Sequence, residues 1–227
     1  MITYGSNSSK TCCIFFHGWT DTPQHLLENT QHLMDPLLFW IIPHAPFENM
    51  WFDYKYDCKR QDEYGKLLES NELCYKNKKE LLYSIYFICN IIRNIERKYE
   101  RILIFGTSQG ATIGYHALMT CDDTRVNGGW FHNIAAFYPE LIVQKSRRMK
   151  VVTTVSSNTL DFDTHAYFFE KDCIQSFRYF LQYQSNKRRK SLISLFSSKN
   201  DITINNKVSS KTFSLIRDVN NEDWIYG

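Results

Sequence analysis

Short apolar runs alternate with amphipathic stretches along the chain, and this pattern predicts alternating strands and helices. Apolar positions recur every three or four residues over 76–98, which is typical of an amphipathic helix. A second helix is predicted from Pro23 to about Met34, because Thr22 suits an N-cap and proline suits the first helical turn. Shorter helices are predicted over 176–183 and, weakly, 208–216. The runs typical of buried strands lie at 11–16, 38–42, 102–105, 134–138, 150–155, 166–169 and 191–196.

Strands that alternate with helices in this way are typical of an α/β protein. Such proteins have a mostly parallel sheet whose two faces are covered by helices. The sequence shows no internal repeat and no linker, so residues 1–227 are interpreted as one domain. The long irregular stretch 43–75 stands out within it, because stretches of this kind in compact domains are often functional.

Ser108 occupies the apex of a predicted strand–turn–helix unit. It follows the apolar run 102–105 and stands between Gly106 and Gly110, with an apolar helix-like segment after it. Glycines two residues before and after a serine permit a sharp turn that lifts the hydroxyl out of the sheet. The free N–H groups of the following helix would face any negative charge that forms there. The unit is therefore the layout of a nucleophilic serine.

The charge balance, the apolar runs and the cysteines of the chain limit the classes of protein to which it can belong. The chain has 27 basic and 24 acidic residues, a balance that argues against a dedicated nucleic-acid binder. The basic cluster 187–190 is interpreted as a solvated loop, with anionic lipid or acidic protein as the alternative contact. Residues 1–10 are polar and no apolar run reaches membrane-spanning length. Seven cysteines without a CxxC pair indicate buried free thiols in a reducing compartment, so we expect a cytoplasmic protein. The sequence implies no metal and no cofactor.

Three blocks of sequence resemble the acyl-protein thioesterase and carboxylesterase branch of the α/β-hydrolases. Residues 15–22 (FFHGWTDT) are similar to that family's F-L-H-G-x-G-D-T. Residues 43–46 (PHAP) and 50–53 (MWFD) are similar to its P-x-A-P and W-F-D, and 106–111 (GTSQGA) to its G-F-S-Q-G-G. The blocks have the family's order and spacing over 11–119, whereas the C-terminal half matches only in its strand pattern. The resemblance implies an α/β-hydrolase fold.

The resemblance also implies roles for individual residues. Ser108 would be the nucleophile, and the backbone N–H groups of Trp19 and Gln109 would form the oxyanion hole. Thr20 replaces a family glycine, which puts the conformation of that loop in question. For Trp51 and Phe52 two interpretations stay open: they pack in the core, or they line an acyl site.

In this fold the catalytic acid follows the nucleophile, and the histidine comes last. Asp172 fits the acid, because it follows the predicted strand 166–169 by a short step and precedes a predicted helix. Asp161 and Asp163 are the rivals if 150–155 is the relevant strand instead. A surface or helix-capping role for Asp172 is the structural alternative.

The histidine position is vacant in this sequence. Laid without gaps from Phe196, the family pattern puts Asp201 at that position, and one deletion puts Asn200 there. A carboxylate has too low a pKa to take a serine proton efficiently near pH 7. Other histidines are interpreted as poor substitutes: His165 and His132 are expected at the wrong ends of their strands, and His116 deep in a helix. The loop residues His17 and His44 are expected nearest Ser108.

These features predict a hydrolase of carboxylic esters or thioesters that works through an acyl-enzyme at Ser108. Its substrates would include an acylated protein or a lipid. The alternative is a pseudohydrolase, which keeps the acyl-binding groove or a protein-interaction role without turnover. The retained motif around Ser108 favours the first, and the vacant histidine position favours the second.

Overall fold

The computed structural model describes residues 1–53, 78–134, 150–155, 171–185, 192–197 and 224–226. These residues form an eight-stranded sheet and four helices. The strands are β1 (Ile2–Gly5), β2 (Thr11–Phe16), β3 (Phe39–Ile42), β4 (Arg101–Thr107), β5 (Val126–His132), β6 (Lys150–Val155), β7 (Leu192–Ser197) and β8 (Trp224–Tyr226). The helices are α1 (Pro23–Thr30), α2 (Lys78–Asn94), α3 (Gln109–Thr120) and α4 (Lys171–Ser185).

The sheet has the order β1-β3-β2-β4-β5-β7-β6-β8. Only β1 is antiparallel, paired with β3, and every other pairing is parallel. Strand β4, which leads into Ser108, lies between β2 and β5. The carboxyl ends of β2, β4 and β5 therefore meet at one edge of the sheet, where Phe16 pairs with Gly106 and Thr107 with His132.

Each face of the sheet carries its own core. One face packs on α2 and α3 through Cys12, Ile14 and Phe16 of β2, and the other packs on α1 and α4 through Cys13 and Phe15. Neighbouring strand residues point to opposite faces, so the unbroken apolar run 11–16 supplies both cores. Cys12, Cys13, Cys89, Cys121 and Cys173, the described cysteines, are buried and free, as predicted.

Capping contacts mark the start of α1 and the end of α2. The Thr22 hydroxyl accepts a hydrogen bond from His25 N at 3.1 Å, and Pro23 begins α1, as the sequence predicted. The helix ends at Thr30 rather than near Met34. The C-terminus of α2 is closed by Arg125, whose guanidinium donates to the carbonyls of Ile92, Ile95 and Glu96 and pairs with Asp123 at 2.7 Å.

Several predicted elements are corrected. The strand at Val126–His132 was not predicted; of the strand that was predicted at 134–138, Ile134 is not in a strand and 135–138 lie outside the described residues. Gly128 and Gly129 weaken the strand signal of β5. The helix expected from Ser176 begins at Lys171. The strands β1 and β8 were not predicted, and 166–169 and 208–216 lie outside the described residues.

The position of α4 is fixed by two contacts with the sheet. Arg101, the first residue of β4, donates to Gln184 Oε1 at 2.6 Å, and the Trp130 indole in β5 donates to Ser176 Oγ at 3.1 Å. Helix α4 therefore runs against the strand direction, with its N-terminus toward the carboxyl edge that holds Ser108. Among the described residues, no helix has the length and apolar character needed to cross a membrane.

Candidate active site

Ser108 sits at a tight turn between β4 and α3. Its backbone has φ 53° and ψ −118°, a conformation that non-glycine residues rarely adopt. The turn is held by Ser108 N, which donates to the carbonyl of His132 at 2.9 Å, and by Thr112 N, which donates to Ser108 O at 3.1 Å. Ser108 is half-buried, and among the described residues none hydrogen bonds with its hydroxyl. The strained turn presents that hydroxyl at the N-terminus of α3.

The two glycines of this turn are required by close backbone contact. A Cβ on Gly106 would lie closer than 3.0 Å to the backbone of Gly110 and Ala111. A Cβ on Gly110 would lie closer than 3.0 Å to the carbonyl groups of Phe16 and His17. The end of β2 can therefore approach the start of α3 only because position 110 has no side chain.

The loop after β2, residues 17–21 (the His17 loop), lies directly beside Ser108. A Cβ on Gly18 would be 3.6 Å from Ser108 Cβ. Trp19 follows Gly18 and exposes 46% of its surface. Thr20 has φ 59°, so the loop keeps a left-handed residue although threonine has replaced the family's glycine. Of the two predicted oxyanion donors, Gln109 follows Ser108 in the chain, and Trp19 follows Gly18, which lies beside Ser108.

Residues 47–53 (the Trp51 turn) join these two segments through buried hydrogen bonds. The Gln109 side chain accepts from Trp51 N at 2.8 Å and donates to Phe52 O at 2.6 Å. The Trp51 indole donates to His17 O at 2.9 Å. Trp51 and Phe52 are fully buried in the core, so the packing interpretation of these two aromatics holds. The three resembling blocks of sequence therefore meet around Ser108.

His132 and His116 are buried, and each lies within hydrogen-bonding distance of a threonine. His132 is the last residue of β5, so its predicted place before a strand was wrong. Its Nδ1 lies 3.3 Å from Thr107 Oγ1, and complete burial lowers its pKa to about 3. His116 is buried in α3 with Nδ1 2.7 Å from Thr112 O. An imidazole with so low a pKa as that of His132 is a weak proton acceptor.

His17 differs from these because one ring nitrogen has no described partner. Its Nδ1 lies 2.8 Å from Gly18 O, and the ring packs on Trp51 with centroids 5.2 Å apart. Burial lowers its pKa, so the ring is neutral near pH 7. With Nδ1 as the donor, the buried Nε2 carries a lone pair and meets no donor among the described residues.

The acid candidates lie on the C-terminal side of the chain. Asp172 is the second residue of α4, one turn before Ser176, and so lies toward the carboxyl edge of the sheet. The predicted loop between Asp172 and Ser176 is helix instead. Asp161, Asp163, Asn200 and Asp201 lie outside the described residues. In the described ranges no three His, Cys, Asp or Glu side chains are grouped as metal ligands.

Comparisons with known proteins agree on the fold. The model of a family described as phospholipase/carboxylesterase matches residues 1–155. The structure is similar to acyl-protein thioesterase 2 of Zea mays, with 12% identity over 99% of this chain and 87% of that one and a TM-score of 0.58. It is also similar to a phospholipase/carboxylesterase from Dyadobacter fermentans, with 15% identity, 95% of each chain covered and a TM-score of 0.52. A search of curated proteins found no match to the sequence. The sheet, the helices and these likenesses make this an α/β-hydrolase fold.

Proposed function

Because the chain belongs to the phospholipase/carboxylesterase family, we propose that it transfers acyl groups from carboxylic esters or thioesters to Ser108. The observation that carries the proposal is the strained turn at Ser108, with φ 53° and ψ −118°, at the N-terminus of α3. Strain of this kind persists where the surrounding structure enforces it, and it clusters at active sites. The same turn brings Gly18 of the His17 loop against Ser108.

The reaction would proceed in two steps. Ser108 Oγ attacks the carbonyl carbon, its proton leaves to a base or water, and the carbonyl oxygen becomes an oxyanion. The N–H groups of Trp19 and Gln109 would stabilise that oxyanion. Collapse of the tetrahedral intermediate expels the alcohol or thiol, which takes up a proton, and leaves an acyl-serine. Water then attacks the acyl-serine, the bond from the acyl carbon to Ser108 Oγ breaks, and the carboxylic acid leaves as Oγ takes up a proton again. Asp172 is the proposed acid of the site, with Asp161 and Asp163 as its alternatives.

The vacant histidine position limits the rate that this chain can reach. With Asp201 or Asn200 at that position, the serine has no strong base from the C-terminal half. Loss of a triad base costs about six orders of magnitude in kcat, yet the oxyanion hole and binding leave about 10³–10⁴ over water. We therefore expect slow hydrolysis of short acyl esters, with an acyl-enzyme that persists.

A pseudohydrolase is the second candidate, and one observation favours it. The sequence places Asp201 or Asn200, and not a histidine, where the family pattern has its base. A chain of this kind would bind an acylated protein or a lipid in the same groove and release it unchanged. The substrate classes of the two candidates are the same, so only turnover separates them.

A fluorophosphonate probe tests the choice, because it labels only an activated serine. We expect slow labelling of the wild type and none of Ser108→Ala, together with slow release of acid from a short acyl thioester. A wild type that binds an acyl thioester but is neither labelled nor able to cleave it would establish the pseudohydrolase.

The buried cysteines and the single sheet support two further proposals, on the cellular compartment and on the number of domains. We propose a reducing compartment such as the cytoplasm, supported by the five described cysteines, which are free and buried. We also propose that residues 1–227 form one domain, supported by the strands from Ile2 to Tyr226, which lie in one sheet.

A further inference from the structure

The side chain of Gln109 makes contacts that its proposed backbone role does not require. It is fully buried and bridges the Trp51 turn, with Oε1 accepting from Trp51 N and Nε2 donating to Phe52 O. A primary amide is both donor and acceptor, so Gln109 can satisfy an N–H and a carbonyl on neighbouring residues at once. Glutamate offers no donor at pH 7, and methionine offers neither strong donor nor strong acceptor.

The Trp51 turn in turn holds the His17 loop at two points. The Trp51 indole donates to His17 O at 2.9 Å, and Asn49 O accepts from Thr20 N at 3.1 Å. These two bonds enclose Gly18 and Trp19 from both sides. They hold the loop although Thr20, Glu48 and Asn49 all have positive φ values, of 59°, 41° and 66°.

We propose that the Gln109 side chain and the Trp51 indole are positioning groups that set the His17 loop at a fixed distance from Ser108. The proposal rests on the proposed acyl transfer at Ser108 and deepens it. One residue, Gln109, then acts twice: its N–H is the proposed oxyanion donor, and its side chain anchors the segment that carries the other donor. Donors held in advance stabilise an oxyanion without reorganisation during the reaction.

The Trp51 turn is itself held by contacts with α2 and β2. The Ser84 hydroxyl of α2 donates to Trp51 O, and Asp53 N donates to Glu80 Oε2 at 2.8 Å. Trp51 packs edge-on against Phe16 with ring centroids 5.4 Å apart. The chain of contacts thus runs from α2 through the Trp51 turn to the His17 loop, and it returns to the nucleophile through Gln109.

Trp51→Phe tests the proposal, because phenylalanine keeps an aromatic ring against Phe16 but cannot donate to His17 O. Trp40→Phe is the matched control. Trp40 is equally buried, and its indole donates to Asp35 O at the same 2.9 Å, before β3 and so at the sheet edge opposite Ser108. Gln109→Met is the second variant, and it removes the amide without touching the indole. Circular dichroism verifies that each variant is folded.

Two measurements are made on each variant. The first is kcat and KM for a short acyl thioester. We expect Trp51→Phe to lower kcat about tenfold or more and to leave KM within about twofold, since complete loss of an oxyanion donor lowers kcat by about 10²–10³. The second is hydrogen exchange in a peptide covering 17–21, which we expect to become about tenfold faster as the bond to His17 O is lost. Gln109→Met should move both measurements in the same direction, and Trp40→Phe should move neither.

Unchanged exchange of the His17 loop in Trp51→Phe and Gln109→Met would overturn the positioning role. Faster exchange with unchanged kcat, or an equal effect in Trp40→Phe, would overturn it as well. Equal thioester cleavage by the wild type and Ser108→Ala would instead overturn the acyl transfer itself. The exchange measurement needs no turnover, so the two failures are distinguishable.

Discussion

Two sides of the sheet are constructed differently around the proposed site. On the nucleophile side, Ser108, the His17 loop and the Trp51 turn are joined by buried hydrogen bonds between segments far apart in the sequence. On the C-terminal side, β6 and β7 are held by backbone pairing, and α4 by its apolar face and its contacts with Arg101 and Trp130. The described contacts of the nucleophile geometry include none from β6, β7 or β8.

This difference teaches how a hydrolase fold can keep its nucleophile while its base changes. The strained turn at Ser108 is held by β2, β5, α3 and the Trp51 turn, so we expect a substitution after β7 to leave that turn intact. The predicted replacement of a histidine by Asp201 or Asn200 would be a change of that kind. Ser108 should therefore become more reactive if a histidine is placed at that position by substitution.

The largest expected effect comes from supplying that base. Asp201→His should raise Ser108-dependent hydrolysis at pH 7–8 by about 10² or more, the contribution typical of a positioned general base. The measurement is kcat/KM for a short acyl ester, with Asp201→Asn as the matched control for removal of the charge. Ser108→Ala should abolish the gain. Fast hydrolysis by the wild type, insensitive to substitution of His17 or His44, would show that another base already serves Ser108.

The Asp201→His variant also allows the catalytic acid to be identified. In the Asp201→His variant, Asp172→Asn should remove most of the gain, because the acid orients and stabilises the protonated histidine. Asp161→Asn and Asp163→Asn are the matched comparisons, and we expect them to leave the gain within about twofold. Loss of the gain in either of those two variants, with Asp172→Asn harmless, would move the acid to that position.

On the nucleophile side, Gly110→Ala should break the contact between β2 and α3. Its methyl group would lie closer than 3.0 Å to the carbonyl groups of Phe16 and His17. Backbone cannot yield as a flexible side chain does, so we expect a loss of about 3 kcal/mol in the free energy of unfolding. The helix propensity of alanine offsets only about 1 kcal/mol of this. Urea denaturation measures the change.

Gly18→Ala is the control for this prediction. A Cβ there meets Ser108 Cβ at 3.6 Å, an ordinary van der Waals distance, and stability should change by less than about 1 kcal/mol. A Gly110→Ala protein as stable as Gly18→Ala would contradict the close approach of β2 to α3.

The burial of His132 predicts how stability depends on pH. Its pKa is about 3 in the folded protein and about 6.5 in the unfolded chain, so only the unfolded chain takes up its proton between these values. The stability present above pH 6.5 is therefore lost as pH falls toward 3. Between pH 7 and pH 5 this residue should lower the free energy of unfolding by about 2 kcal/mol. Urea denaturation at both pH values measures the change.

His132→Gln serves as the reference for that pH dependence. Glutamine does not titrate, so the difference in unfolding free energy between pH 7 and pH 5 should shrink by the same amount, whatever the variant's stability at pH 7. An unchanged difference would mean that His132 is not buried as the structure shows.

The smallest expected effect is at Thr20. A β-branched residue at φ 59° costs about 1–2 kcal/mol, and glycine removes that cost while losing about 0.5–1 kcal/mol of chain entropy. Thr20→Gly should therefore raise Tm by about 1–3 °C. Thr3→Gly in β1, an exposed threonine outside the residues with positive φ, should lower it. A lower Tm for Thr20→Gly would indicate that the Thr20 hydroxyl, which donates to Trp19 O at 2.7 Å, outweighs the strain.

The nucleophile side was largely predictable from the sequence, because its signals are local. Two glycines around Ser108, Thr22 before Pro23 and the apolar run 11–16 each specify a turn, a cap or a strand within a few residues. What joins these segments was not predictable, since the amide of Gln109 reaching Trp51 leaves no local pattern. The strand β5 was missed because Gly128 and Gly129 carry no strand signal, although the missing side chain of Gly129 is what lets the Phe131 ring and Ile104 O approach its backbone.

The C-terminal side was predicted less well for a different physical reason. Its strands β6 and β7 were found as apolar runs with nearly correct bounds, yet their order in the sheet depends on contacts between distant segments. The helix α4 begins at Lys171 rather than Ser176, since Asp172 and Cys173 fit a helical first turn as readily as a loop. The roles of Asp172 and Asp201 remain predictions.

The sheet order has a consequence for how the chain is made. Strand β7 lies between β5 and β6, although β6 precedes it in the sequence. During synthesis from the N-terminus, β6 leaves the ribosome with neither of its neighbours, β7 and β8, yet available. It must wait, unpaired, until Leu192–Ser197 emerges and inserts beside β5. A ribosome that pauses before residue 192 would therefore hold a nascent chain in which β6 has no strand to pair with.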